Sequence, residues 1–102
     1  MANTLSLSVV PELHFRSHLP VVIDPSQGTG HARLVSDMCK AAVACGADGL
    51  MIEVHPDPEH AMTDGAQSIT PEQLAETITS LQRIAEAIDR TCHVITTEAT
   101  RN

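Results

Sequence analysis

The chain has 102 residues, 13 acidic and 6 basic side chains, a formal net charge of −7, and 42% apolar residues. That length allows one small domain. The apolar share excludes a disordered tail, and the charge excludes nucleic acid or an anionic membrane as a partner held by bulk electrostatics. A divalent cation suits the charge better, although a mildly acidic surface also serves solubility alone. Phe15 is the only aromatic residue, so the core has to come from Val, Ile, Leu, Met and Ala.

No apolar run approaches the roughly 20 residues of a membrane span. Residues 1–18 lack the apolar centre of a signal peptide. The three cysteines, Cys39, Cys45 and Cys92, are an odd number without CxxC spacing. A reduced, cytoplasmic chain is expected, with Cys39 and Cys45 filling core space on a helix.

In chain order, residues 3–18 read as a short helix with Pro11 in its first turn. Leu7, Val10, Leu13 and Phe15 are its candidate inward positions. Leu19 to Ile23 is a β-branched strand, apolar on both faces as in a buried parallel sheet. It ends in Asp24-Pro25, a strand-ending turn in which Asp24 could orient the following loop, Ser26 to Gly30. A helix follows from about His31 to Cys45, with Leu34, Val35, Met38, Ala42 and Cys45 as its apolar positions and Gly46 closing it.

Gly49 to Val54 is a second strand, so residues 19–54 form one strand–helix–strand unit with a right-handed parallel crossover. Its apolar run Leu50-Met51-Ile52 leads directly into Glu53. Pro56 and Pro58 then enforce a loop, which carries Asp64-Gly65. Thr70-Pro71-Glu72-Gln73 is a helix start with a capping box. The spacing of Leu74, Ile78, Leu81, Ala85 and Ile88 carries that helix to about Asp89. Arg90 to Asn102, polar and Thr-rich, reads as a weakly ordered tail, so the expected organisation is 1–89 and 90–102.

Two such strands are too little sheet for a self-sufficient fold, because each keeps an unpaired edge. The pattern is that of the end of a larger barrel or sheet. A carboxylate at the C-terminal tip of a parallel strand stands where such folds place their chemistry.

Three stretches carry a resemblance. Leu-Pro-Val-Val-Ile-Asp-Pro-Ser-Gln-Gly-Thr-Gly (19–30), Gly-Ala-Asp-Gly-Leu-Met-Ile-Glu-Val-His-Pro-Asp-Pro-Glu (46–59) and Thr-Asp-Gly-Ala-Gln-Ser (63–68) closely resemble the C-terminal part of the 3-deoxy-7-phosphoheptulonate (DAHP) synthases related to the KDO-8-phosphate synthases. The resemblance implies an α/β fold: a partial (β/α)8 TIM barrel, with its last two parallel strands and their flanking helices. It implies a transferase of the shikimate pathway of aromatic amino acid biosynthesis. That family condenses phosphoenolpyruvate with erythrose 4-phosphate, using a divalent metal (Mn, Fe or Zn) to polarise the aldehyde oxygen.

The family's ligands are an early-strand Cys, the His of an Asp-Pro-Ser-His-Gly motif, the Glu ending the last strand and the Asp of the next loop. Carried over by motif, the last two are Glu53 and Asp64. The His position holds Gln27, whose amide oxygen is a weaker ligand for these metals than an imidazole. The early-strand Cys and most substrate-binding basic residues have no counterpart in this chain. Gly28, Thr29 and Gly30 could cradle a phosphate at a helix start, but two glycines are a weak signal and loop flexibility explains them better.

Each signal has a plainer reading. Glu53 could be a solvated carboxylate at a sheet edge, and Asp64-Gly65 an ordinary turn. His55 would share Glu53's face of an extended strand and could be a substitute ligand. His14, His18, His31, His60 and His93 read as surface residues. The expected function is a truncated DAHP synthase-like chain without catalysis of its own. The alternatives are a barrel-completing subunit of a split synthase, or a small divalent-metal or phosphate-binding module; the expected partner is a second copy or a complementing barrel chain.

Overall fold

The computed structural model describes residues 7–25, 32–57 and 68–93. Its elements are α1 (Val9–Arg16), β1 (Val22–Ile23), α2 (Ala32–Ala44), β2 (Gly49–Leu50) and α3 (Pro71–Ala87). β1 and β2 pair in parallel, with Val22 opposite Gly49 and Ile23 opposite Leu50. The fold is thus α/β, with a two-stranded parallel sheet joined through α2.

The regular ladder is shorter than the apolar runs suggest. Beyond Leu50 the chain stays extended enough for Val54 to bridge Ile69 in parallel. Ile69 donates to the Glu53 carbonyl at 3.0 Å and accepts from the His55 amide at 2.9 Å. The segment before α3 therefore pins both sides of Val54.

α3 starts as its sequence dictates. The Gln73 amide donates to Thr70 Oγ1 at 3.1 Å, and the Thr70 amide to Gln73 Oε1 at 2.8 Å, a reciprocal pair that satisfies two otherwise orphaned donors. Pro71 occupies the first turn, where its missing N–H costs nothing. α2 and α3 end alike. Gly46 (φ 101°) follows α2, and Asp89 (φ 64°) follows α3. In each case the next residue's amide reaches back five positions, Ala47 to the Ala42 carbonyl at 3.0 Å and Arg90 to the Ala85 carbonyl at 2.7 Å. This wrapped ending satisfies the last carbonyls and turns the chain sharply.

Two apolar clusters hold these elements. Val10 of α1 packs with Val21, Ile23, Ala42 and Ala47. Val35, Cys39, Ile69 and Leu81 form the second, with Leu50 and Ile52 beside it. Full burial of each larger aliphatic side chain contributes about 1.5–3 kcal/mol. Between the helices, the Ser36 and Thr77 hydroxyls meet at 2.8 Å, and Thr77 also donates to the Gln73 carbonyl at 2.8 Å, so this buried polar contact is satisfied.

Burial departs from the sequence reading in three places. On α1, Val10 is buried, but Phe15 is 88% exposed and Leu13 is also exposed. The next position on Val10's face is four residues on, and His14 holds it. On α2 the buried stripe is Val35, Cys39 and Ala42, while Leu34 points outward. Burial pushes the Cys39 thiol up to about 11, with Asp24 adding to the effect, so at neutral pH it stays a protonated core filler. In the sheet, Val21 and Ile23 are buried against the helices, but Val22 is 55% and Met51 63% exposed. The strands are apolar on two sides and covered on one.

Candidate functional site at the strand tips

Alternation along the second strand divides its side chains. Leu50 and Ile52 pack toward the helices, while Met51 and Glu53 take the uncovered side. A Cβ on Gly49 would meet Val22 Cγ2 at 3.4 Å, so Gly49 and Val22 share that side too. Glu53 is therefore the last member of a bare row, Gly49, Met51 and Glu53, that runs on from β2 into the extended segment after it. Its backbone is fixed by Ile69, and its side chain is exposed. The backbone is held while the carboxylate is open to solvent.

His55 follows at the same end. Its Nδ1 accepts from the Asp57 amide at 2.9 Å, which stabilises the turn after the strand. Only its Nε2 remains for any further ligand. Among the described residues, no three His, Cys, Asp or Glu side chains converge as a metal site. Gln27, Gly28, Thr29, Gly30 and Asp64 lie outside the described residues. Of the expected ligand set only Glu53 is described, and one carboxylate does not make a metal centre.

The opposite end of the strands carries a network that sequence reasoning missed. Asp48 Oδ2 accepts from the Val21 amide at 2.7 Å and contacts His14 Nε2 at 2.6 Å. Asp48 Oδ1 accepts from Arg90 at 2.8 Å, and Arg90 also donates to the Gly46 and Ala47 carbonyls at 2.9 and 3.2 Å. One carboxylate thus joins α1, the start of β1, the α2–β2 turn and the exit of α3. The Val21 amide first, then His14 and Arg90, hold the Asp48 carboxyl well below the usual carboxylate range, although its side chain is 26% exposed. His14 is exposed, as expected, and this contact anchors its side chain. The partners lie 27 to 42 positions away in sequence. Only the presence of Asp48 in a helix-to-strand turn hinted at a role.

A parallel strand–helix–strand unit with an exposed carboxylate beyond the C-terminal end of its second strand is an arrangement of parallel α/β folds, in which that end of the sheet is where sites are commonly built. Comparison narrows that class of fold. The DAHP synthetase I family is matched over residues 1–90, and the chain belongs to it. It is 43% identical over 86 residues to a phospho-2-dehydro-3-deoxyheptonate aldolase of Thermotoga maritima, a match covering 84% of this chain and 25% of that protein. It is 39% identical over 61 residues to a 2-dehydro-3-deoxyphosphooctonate aldolase of Desulfotalea psychrophila, covering 60% of this chain and 22% of that one. A solved truncated form of 3-deoxy-D-arabino-heptulosonate 7-phosphate synthase from Thermotoga maritima superposes with a TM-score of 0.84 at 42% identity, over 87% of this chain and 34% of that one. The chain thus spans about a quarter to a third of the length of these relatives. No helix among the described residues is long and apolar enough to cross a membrane.

Proposed function

We propose that this chain is the closing part of a DAHP synthase-type barrel. It supplies the last two strands and presents Glu53 and Asp64 as two of the ligands for a divalent metal. The observation that carries this reading is the bare row ending in Glu53 on the side of the sheet away from the helices. In a closed barrel that side faces inward and its upper end faces the substrate.

The activity assigned to the full-length family is condensation of phosphoenolpyruvate with erythrose 4-phosphate. The metal supplies Lewis-acid polarisation of an aldehyde oxygen. This chain's own residues do less. Glu53 offers a carboxylate on a backbone held by Ile69, and Gln27 offers an amide where the family has an imidazole. With the remaining ligand and most cationic phosphate-binding groups lacking a counterpart here, the chain alone has no catalytic activity.

A second reading is favoured by the exposure of Val22 and Met51, two large apolar side chains on one sheet face. An apolar face of this kind suits a complementing chain that carries the other strands. In that reading the present chain is a barrel-completing subunit, and the metal site forms across the junction.

The test is calorimetric titration with manganese of the chain and of a Gln27→His variant. If position 27 and Glu53 converge, the imidazole raises manganese affinity by ~10-fold or more. Equal affinities would remove the proposed ligand geometry.

A further inference from the structure

The paired ladder is two residues long on each side, Val22 and Ile23 against Gly49 and Leu50. Apolar burial selects which face of each strand turns inward: Val21 and Ile23 from the first, Leu50 and Ile52 from the second. It does not select the register. Side chains repeat every two residues, so sliding β1 two places toward the end of the second strand leaves every face as it was. Val22 would then stand opposite Met51, and Ile23 opposite Ile52. Apolar contact is non-directional, so it opposes this slip weakly.

Directed bonds from one residue oppose it strongly. The Asp48 amide donates to the Val21 carbonyl at 2.8 Å, and the Val21 amide donates back to Asp48 Oδ2 at 2.7 Å. Both polar atoms of the Val21 backbone thus close on a single residue. That residue's side chain is itself fixed. Arg90 donates to Asp48 Oδ1 while it bonds the Gly46 and Ala47 carbonyls, and His14 Nε2 meets Oδ2 at 2.6 Å. The Val21 amide does more than His14 or Arg90 to hold the Asp48 carboxyl below its usual range, as a charge-assisted bond does. A two-residue slip would carry the Val21 amide about 7 Å along the strand, away from this carboxylate. A part-buried N–H would be left without its acceptor.

The register also decides what meets at the far end. Asp24 and Pro25 follow β1, and Glu53 lies in the extended segment after β2. The same slip carries one segment past the other by about 7 Å. Metal–ligand bonds to oxygen are about 2.0–2.2 Å and tolerate errors of roughly 0.2 Å. Groups from the two segments can therefore share an ion in one register only.

We propose that Asp48 is a positioning residue: it selects the register of β1 against β2 in which the segment after β1 and Glu53 can hold one ion. It acts from the opposite end of the strands. The choice of register stands on the hydrogen bonds alone, while its consequence for a metal rests on Glu53 being a ligand, as proposed for this chain.

NMR on the 102-residue chain reads the register directly. In the parent, the Val22 methyls should show NOEs to the Gly49 α-protons, since a Cβ on Gly49 would lie 3.4 Å from Val22 Cγ2. The Val21 amide should exchange at least about tenfold more slowly than unstructured peptide. Asp48→Asn keeps an acceptor for that amide and should keep the parent NOEs, whereas in Asp48→Ala the Val22 methyl NOEs should move, in part or in full, to Met51. In a Gln27→His background, Asp48→Ala should weaken manganese binding by about tenfold or more, and Asp48→Asn should restore it. An Asp48→Ala chain that keeps the parent NOEs alone would overturn the proposal, as would an Asp48→Asn chain whose NOEs move to Met51. NOEs that move in Asp48→Ala without any change in manganese affinity would overturn the positioning role. If no variant binds manganese, the ligand reading of Glu53 fails, and the NOEs still decide the register. If Asp48→Ala does not fold, Asp48→Asn and the parent's Val21 amide decide: rapid exchange there would overturn the proposal.

Discussion

The two ends of the strand pair are built in opposite ways. At the N-terminal end, Asp48 gathers the Val21 amide, His14 and Arg90, and Arg90 closes two further carbonyls. Every segment entering or leaving the sheet there is tied to another. At the C-terminal end, the Glu53 backbone is held by Ile69, but its carboxylate is exposed and no cluster of ligands surrounds it among the described residues. The contrast teaches that one end is built for stability, while the other leaves its carboxylate free of such ties. One end is tied together by contacts within the described residues, while the other leaves exposed the carboxylate that the proposed function makes a metal ligand.

The sharpest way to break that comparison is to truncate one carboxylate at each end. Asp48→Ala strands a buried Val21 amide and releases His14 and Arg90, so chemical denaturation should register a loss of about 3 kcal/mol. Glu53→Ala should change stability by less than about 0.5 kcal/mol. Equal losses would mean that the two ends do not differ as described. Acid offers the same contrast without mutation. The folded-state value of Asp48 lies below its unfolded one, so its contribution is fully present above 3.8 and is lost as pH falls from there toward the depressed folded value. A melting temperature that falls over this range in the parent, with a smaller fall in Asp48→Asn, is the expected result.

A smaller effect sharpens the account of how the latched end is shaped. Asp89 holds a left-handed conformation after α3 (φ 64°), the role that Gly46 plays after α2 (φ 101°). Asp89→Gly should therefore stabilise the chain by about 0.5 kcal/mol, since the relieved strain slightly exceeds the added backbone entropy. A loss of stability would instead show that the Asp89 side chain contributes to the turn.

What could be read in the sequence was local. The capping box of Thr70 and Gln73, the turn at Gly46 and the Leu74–Ile88 stripe are written in residues three to five apart, and the structure forms each of them. The two strands were visible as apolar runs, but their one-sided covering was not. Whether Val22 or Met51 is buried depends on segments that the run itself does not encode. Phe15 and Leu13 misled because hydrophobicity was weighed above helical phase. His14 was read as a surface residue and is exposed, but its tie to Asp48 was not foreseen. The Asp48 network escaped because its partners are distant in sequence, and no short motif marks a carboxylate shared by four segments. At the other end, the exposed position of Glu53 after an apolar run was legible, and its role as a ligand stays a proposal, whereas Asp64, Gln27 and the Gly28–Gly30 loop lie outside the described residues.

The central claim is that this chain carries part of a synthase site and does not turn over substrate alone. Incubation of the purified chain with phosphoenolpyruvate, erythrose 4-phosphate and manganese, followed by assay of released phosphate, tests it most directly. The account predicts no release above the uncatalysed background. Sustained release that depends on both substrates and on manganese, and is lost in Glu53→Ala, would contradict it.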